Sequence, residues 1–107
     1  MPPHILVDRS PSPFGTVVVY DQGSERYMAF ENSASCLSCV NLRSPEALAF
    51  PYTQAMMSCL LFVPAPRRVL CVGLGAGSVP QALAAACPEA LIDSVEINPT
   101  ITALAKS

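Results

Sequence analysis

Apolar residues in this chain come in short runs broken by proline, glycine and serine, and the texture of those runs changes midway. "TVVVYDQGSERYMAF" (16–30) holds two β-rich runs around "DQGSE". Gly23 and its polar neighbours predict a hairpin turn there. Val17, Val19, Tyr27 and Ala29 are the candidates for one face, although Val17 to Tyr20 is apolar on both. A third strand, from about Cys36 to Leu42, follows "ENSAS" and completes a small antiparallel sheet. Residues 1–13 are proline-rich and are expected to be loose.

Next comes "RSPEALAFPYTQAMMSCLLFVPAP". Pro51 can open a helix, because its missing N–H is one that the first turn does not use. The helix, Tyr52 through Phe62, is apolar nearly all round and is therefore expected to be buried, with Met56 and Met57 as core filler. Pro64 and Pro66 end it and form a linker. The second half alternates. "RRVLCVG" is a short apolar run with β-branched residues, as expected for a strand covered on both faces. Ser78 followed by Gln81 makes a capping-box pattern for a helix through about Ala86. "ALIDSVEI" is a second strand, after which Asn98 caps and Pro99 opens another helix.

Strand, helix, strand, helix at this spacing is the βαβ unit of a parallel sheet, with a right-handed crossover. One such unit leaves sheet faces and edges bare, so the chain reads as the opening part of a larger protein. The fold class is α/β: a small N-terminal antiparallel β-sheet followed by the first β-α-β-α of a Rossmann-like fold. The divisions are a flexible N-terminus (1–13), the small sheet (14–43), a buried helix and linker (44–66), and the start of a nucleoside-binding domain (67–107).

Composition narrows the function classes. The chain has 107 residues, suited to one small domain. It is 51% hydrophobic and 13% charged, unlike a disordered segment, and its lean polar surface anticipates a partner. The net charge is −2. Arg67 and Arg68 are the only adjacent basic pair, so no nucleic-acid footprint is present. No run has the length of a membrane span, and the N-terminus carries no signal-peptide pattern, which predicts a cytoplasmic protein. Five cysteines (Cys36, Cys39, Cys59, Cys71, Cys87) at irregular spacings argue against a disulfide framework. Cys36 and Cys39 form one C-x-x-C inside a predicted strand, where positions three apart point to opposite faces. A zinc site needs further ligands, and His4 is the only histidine, so no metal is expected.

The chemistry concentrates in Val69–Pro99. In an open α/β sheet a ligand binds outside the carboxyl ends of the strands, and the loop Gly73–Gly77 lies at such an end. Glycine tolerates positive φ, and without a Cβ it lets a ligand lie against the backbone, facing the free N–H groups that open the next helix. Glu96 ends the neighbouring strand, twenty-three residues after Gly73, where a carboxylate can accept hydrogen bonds from both hydroxyls of a ribose. These are the parts of an adenosine-type site. The dinucleotide fingerprint G-x-G-x-x-G is not met, since Ser78 stands in its sixth place. G-x-G-x-G is the pattern of S-adenosylmethionine-dependent enzymes. No Gly-Lys-Ser/Thr follows, so a P-loop is excluded. The bland alternative is that the glycines merely make a tight turn and Glu96 is a solvated strand end.

A small β-sheet, a helix starting at Tyr52, then "RRVLCVGLGAGSVPQAL" and "IDSVEINP" resemble the spermidine synthase family of aminopropyltransferases, from about Phe14 to the end of the chain. The resemblance implies an N-terminal β domain used for oligomerisation, a Rossmann-like catalytic domain, and decarboxylated S-adenosylmethionine as cofactor. By that similarity Gly73, Gly75 and Gly77 line the cofactor and Glu96 holds its ribose. The family's Tyr-His-Glu appears as Tyr52-Thr53-Gln54, which makes Tyr52 and Gln54 the substrate-side candidates. The family's loop aspartate is replaced by Ala76, and "FENSAS" (30–35) keeps only Glu31 and Asn32 of the family's pattern. The catalytic aspartate lies further along in the family, and no residue here is nominated as the base that aminopropyl transfer needs.

Three functions follow. The first is a spermidine-synthase-like transferase with a polyamine acceptor. The second is a methyltransferase using ordinary S-adenosylmethionine, which Ala76 and Gln54 favour. The third is a non-catalytic nucleoside-binding or oligomerising remnant. A dehydrogenase is disfavoured by the glycine spacing.

Overall fold

A computed structural model of the chain describes residues 4–33 and 36–106. The first half is a four-stranded antiparallel sheet in the order β1 (Ile5–Ser10), β2 (Val17–Gln22), β3 (Glu25–Phe30), β4 (Cys36–Asn41). Helix α1 (Pro51–Met56) continues into a 3-10 turn over Met57–Leu61. The second half is β5 (Arg68–Val72), α2 (Ser78–Ala86), β6 (Leu91–Val95) and α3 (Pro99–Lys106), with β5 and β6 paired in parallel. The α/β mixture, antiparallel sheet first and parallel pair second, is as the alternation of the sequence implies.

The sheet is built on a two-residue hairpin. Gln22 pairs with Glu25 across Gly23, which sits at φ 63°. That register fixes which side chains share a face. Val19 lies opposite Met28 and Val17 opposite Phe30. Val17, Val19 and Met28 are the buried face, joined by Ile101 and flanked by Phe30, Leu37, Ala76 and Leu104. The expectation that Tyr27 and Ala29 share the face of Val17 is therefore corrected. Tyr27 pairs with Tyr20 on the other face, where the two rings stack at 5.2 Å and His4 stacks on Tyr20.

Four further expectations change. Residues 5–10 of the supposedly flexible terminus form β1, because the apolar start of that segment finds an edge beside β2 and no proline falls within the strand. Cys36 and Cys39 share a face, because an irregularity between Met28 and Ala29 lets Ala29 pair with Cys36 while Tyr27 pairs with Cys39. The helix expected to be buried is largely exposed: Thr53 is its only buried residue, and Leu61 and Phe62 beyond it are more than four-fifths exposed. Apolar content makes burial favourable only where something covers the helix, and among the described residues its cover is confined to the side of Thr53. For the same reason β5 is covered on one face only, with Leu70 and Val72 open to solvent.

The two halves meet where α3 lays Ile101 on Val17, Val19 and Met28. Asn98, 1% exposed, secures that contact. Its Oδ1 accepts from Thr100 N–H at 3.0 Å, the predicted cap, and its Nδ2 donates to Ser12 Oγ at 2.9 Å. Thr100 Oγ1 donates to Pro11 O in parallel, so the start of α3 is tied to the loop between β1 and β2. No helix among the described residues is long and apolar enough to cross a membrane.

Candidate nucleoside site

The turn from β5 into α2 is made by three glycines in left-handed conformations: Gly73 at φ 85°, Gly75 at 55° and Gly77 at 83°. The region is costly for any residue with a Cβ, which accounts for glycine at each position. What lies beside them differs. A Cβ on Gly73 would meet nothing within 4 Å, so that side of the backbone is open. A Cβ on Gly75 would come within 3.1 Å of Ser38 Oγ, so its bare side is taken up by the sheet. Gly77 caps α2 with its backbone, and Gln81 N–H bonds to its carbonyl at 3.0 Å. The capping box expected from Ser78 and Gln81 does not form. Ser78 is the first helical residue, and its hydroxyl instead donates to Cys39 O at 2.9 Å.

Glu96 lies against this turn. Its Oε1 accepts from Leu74 N–H at 2.9 Å and its Oε2 from Asn98 N–H at 3.0 Å. Gly73 N–H bonds to Val95 O at 2.7 Å, extending the β5–β6 ladder by one step and bringing the strand ends together. Burial pushes the Glu96 carboxyl up, but backbone N–H groups of Asn98, Leu74, Gly75 and Ile97 outweigh it and hold the pKa below its ordinary value. The group is thus an anion at neutral pH. The hydrogen bonds from Leu74 and Asn98 occupy one lone pair on each carboxylate oxygen, and the N–H groups of Gly75 and Ile97 also act on the anion, so a hydroxyl donor would share the carboxylate with them.

The other sequence candidates lie elsewhere. Tyr52 is 59% exposed and stacks on Phe50 at 5.9 Å. Gln54 donates to Leu48 O at 2.8 Å and lines a groove of about 590 Å³ with Glu46, Met57 and the alanines 82, 85 and 86 of α2. Ala76 turns its methyl toward the Val17–Met28 cluster. Among the described residues no group of histidine, cysteine and acidic side chains could hold a metal.

Sequence reasoning missed Ser38. It is 7% exposed on β4, and its Oγ accepts from Ala76 N–H at 3.1 Å. The middle glycine of the loop marks a close approach, but nothing in the sequence says that the approaching group, Ser38, lies on β4, thirty-eight residues upstream of the Ala76 N–H that it accepts.

The sequence has counterparts among known enzymes. The chain is 33% identical over 94% of its length to a polyamine aminopropyltransferase of Vibrio vulnificus, of which it matches 35%. It is 32% identical over 85% of its length to one of Chromobacterium violaceum, matching 34% of that protein. It is 33% identical over 90% of its length to one of Neisseria meningitidis, matching 36%. The chain therefore spans about one third of the length of these curated relatives. No family model matches it, and no solved structure matches significantly.

Proposed function

Because this chain is a homologue of about one third of a polyamine aminopropyltransferase, we propose that it carries the adenosyl-binding part of a spermidine-synthase-like transferase. In this reading β5-α2-β6-α3 is the start of a Rossmann-like domain. The observation that carries it is Glu96 gripping Leu74 N–H beside Gly73, whose Cα faces open space. An adenosyl group lies along the backbone at Gly73, and the Glu96 carboxylate accepts its ribose hydroxyls alongside the backbone donors. Gly75 and Gly77 give the turn its shape. Tyr52 and Gln54 are assigned to the polyamine side. They lie on α1, not at the glycine turn, so that assignment requires the acceptor to reach across from the Gln54 groove. Decarboxylated S-adenosylmethionine, when bound, supplies a carbon made electrophilic by its neighbouring sulfonium. This chain's own part is to bind and orient the nucleoside; no base for the acceptor amine is assigned among its residues. A homo-oligomer through the antiparallel sheet belongs to the same proposal.

Ala76 supports a second reading. Its methyl packs toward the core, so the loop offers no carboxylate for an aminopropyl amine, and a methyltransferase using ordinary S-adenosylmethionine does not need one. Calorimetry with both forms of the cofactor separates the two. Tighter binding of the decarboxylated form supports aminopropyl transfer, equal or weaker binding supports methyl transfer, and binding of neither removes both.

A further inference from the structure

The antiparallel sheet reaches into the glycine turn through one side chain. Ser38 lies opposite Met28, on the face of β4 that meets the second half of the molecule. Its Oγ accepts from Ala76 N–H at 3.1 Å and lies 3.5 Å from Ser78 Oγ. Ser78 has one hydroxyl proton, and that proton goes to Cys39 O at 2.9 Å. At 3.5 Å the contact between the two serines is a long, weak one, and with the Ser78 proton committed its donor is Ser38. The chain of donors has a single direction: Ala76 N–H to Ser38, Ser38 O–H to Ser78, Ser78 O–H to the Cys39 carbonyl. Ser38, Cys39 and Ser78 are all at least nine-tenths buried, where such a chain is strengthened by low dielectric and broken at a cost.

The turn is consequently held from two sides. Glu96 takes the N–H of Leu74 and Ser38 takes that of Ala76, two residues apart and on either side of Gly75. A Cβ on Gly75 would stand 3.1 and 3.2 Å from Ser38 Oγ and Cβ, so Ser38 would have to give by a few tenths of an ångström to admit it. The sheet is pressed against the bend as well as bonded to it.

We propose that Ser38 is a positioning residue for the adenosyl ligand: it holds the 73–77 turn in the form that keeps the Gly73 side open and the Leu74 N–H on Glu96. The inference rests on the nucleoside reading of the site. Ser38 touches no ligand itself; it acts through Ala76.

The test uses the full chain with 5′-methylthioadenosine as probe, followed by calorimetry, and amide hydrogen exchange in the free protein. Ser38→Ala leaves Ala76 N–H without its buried acceptor, so the probe is expected to bind about tenfold more weakly. Exchange at 74–77 is expected to accelerate while the β2–β3 hairpin stays protected. Ser38→Thr keeps the hydroxyl and is expected to recover most of the affinity, which a general loss of stability would not allow. Should Ser38→Ala melt the fold, Ser78→Ala tests the same chain from its far end, with an expected loss of about threefold. If the natural protein binds the probe and neither variant weakens it, the positioning role is overturned. If the natural protein does not bind the probe, the nucleoside reading itself fails. Faster exchange at 74–77 with unchanged affinity also contradicts the proposal.

Discussion

Glu96 Oε1 accepts the backbone N–H of Leu74 at 2.9 Å, joining the end of β6 to the turn that leaves β5. The bond makes one carboxylate both a brace for the turn and the acceptor nearest its open side. Replacing it with an amide tests both roles. In Glu96→Gln one oxygen survives, but an NH2 group now faces a backbone donor. Adenosyl affinity is expected to fall tenfold or more, since hydrogen bonds to charged groups are the stronger ones, and calorimetry reads the loss directly.

The same carboxylate sets a pH dependence. Its folded-state pKa is lowered from 4.5 because backbone donors outweigh burial. A lowered value means that the anion stabilises the fold in full above the unfolded pKa and that this is lost as pH falls through the folded one. The melting difference between natural protein and Glu96→Gln is expected to be constant from neutral pH to about 5 and to shrink below about 4.5. A difference that persists undiminished to pH 3 would contradict the assignment.

The glycines are not equivalent. Gly73→Ala places a methyl in open space, so it is expected to cost only the left-handed backbone penalty, about 1–2 kcal/mol, while obstructing the ligand. Gly75→Ala adds a collision with Ser38 to the same penalty, so it is expected to lower the denaturation midpoint further. Urea titrations of the two variants decide the order, and equal midpoints would refute the close approach of Ser38.

Asn98 is the polar anchor between the halves. Asn98→Ala removes the cap on Thr100 N–H and the bond to Ser12, and is expected to destabilise by about 1–3 kcal/mol. Asn98→Ser keeps a capping oxygen and is expected to lose less. Chemical denaturation of both variants checks it.

The thiols differ in reactivity. Burial pushes Cys39 up to about 11, helped by the Glu25 carboxylate, whereas Cys59 is exposed. The thiolate is the reactive form, so iodoacetamide at pH 8 is expected to modify Cys59 early and Cys39 last, as followed by peptide mass spectrometry.

What could be read from sequence was local. The Gly23 hairpin, the Asn98 cap and the strand-turn-helix-strand order each depend on residues a few positions apart, where backbone preferences decide. What could not be read depended on register or cover. Whether Val17 shares a face with Met28 or Tyr27 turns on the two-residue loop, and the common face of Cys36 and Cys39 turns on one irregular pairing in β3–β4. Ser78 looks like a cap in isolation, yet its hydroxyl finds Cys39 O thirty-nine residues away. The exposure of Leu61 and Phe62 is a question of what lies over them, which hydropathy does not specify. In the site, the glycines and Glu96 were visible as types in a pattern, while Ser38 is one of many serines until the sheet is folded against the turn.

The most direct test is a nuclear magnetic resonance titration of the labelled full chain with 5′-methylthioadenosine. The account predicts saturable shifts centred on the amides of Gly73, Leu74 and Ala76 and on the end of β6, abolished by Glu96→Gln. Shifts confined to the Gln54 groove, or no shifts at millimolar ligand, would contradict it.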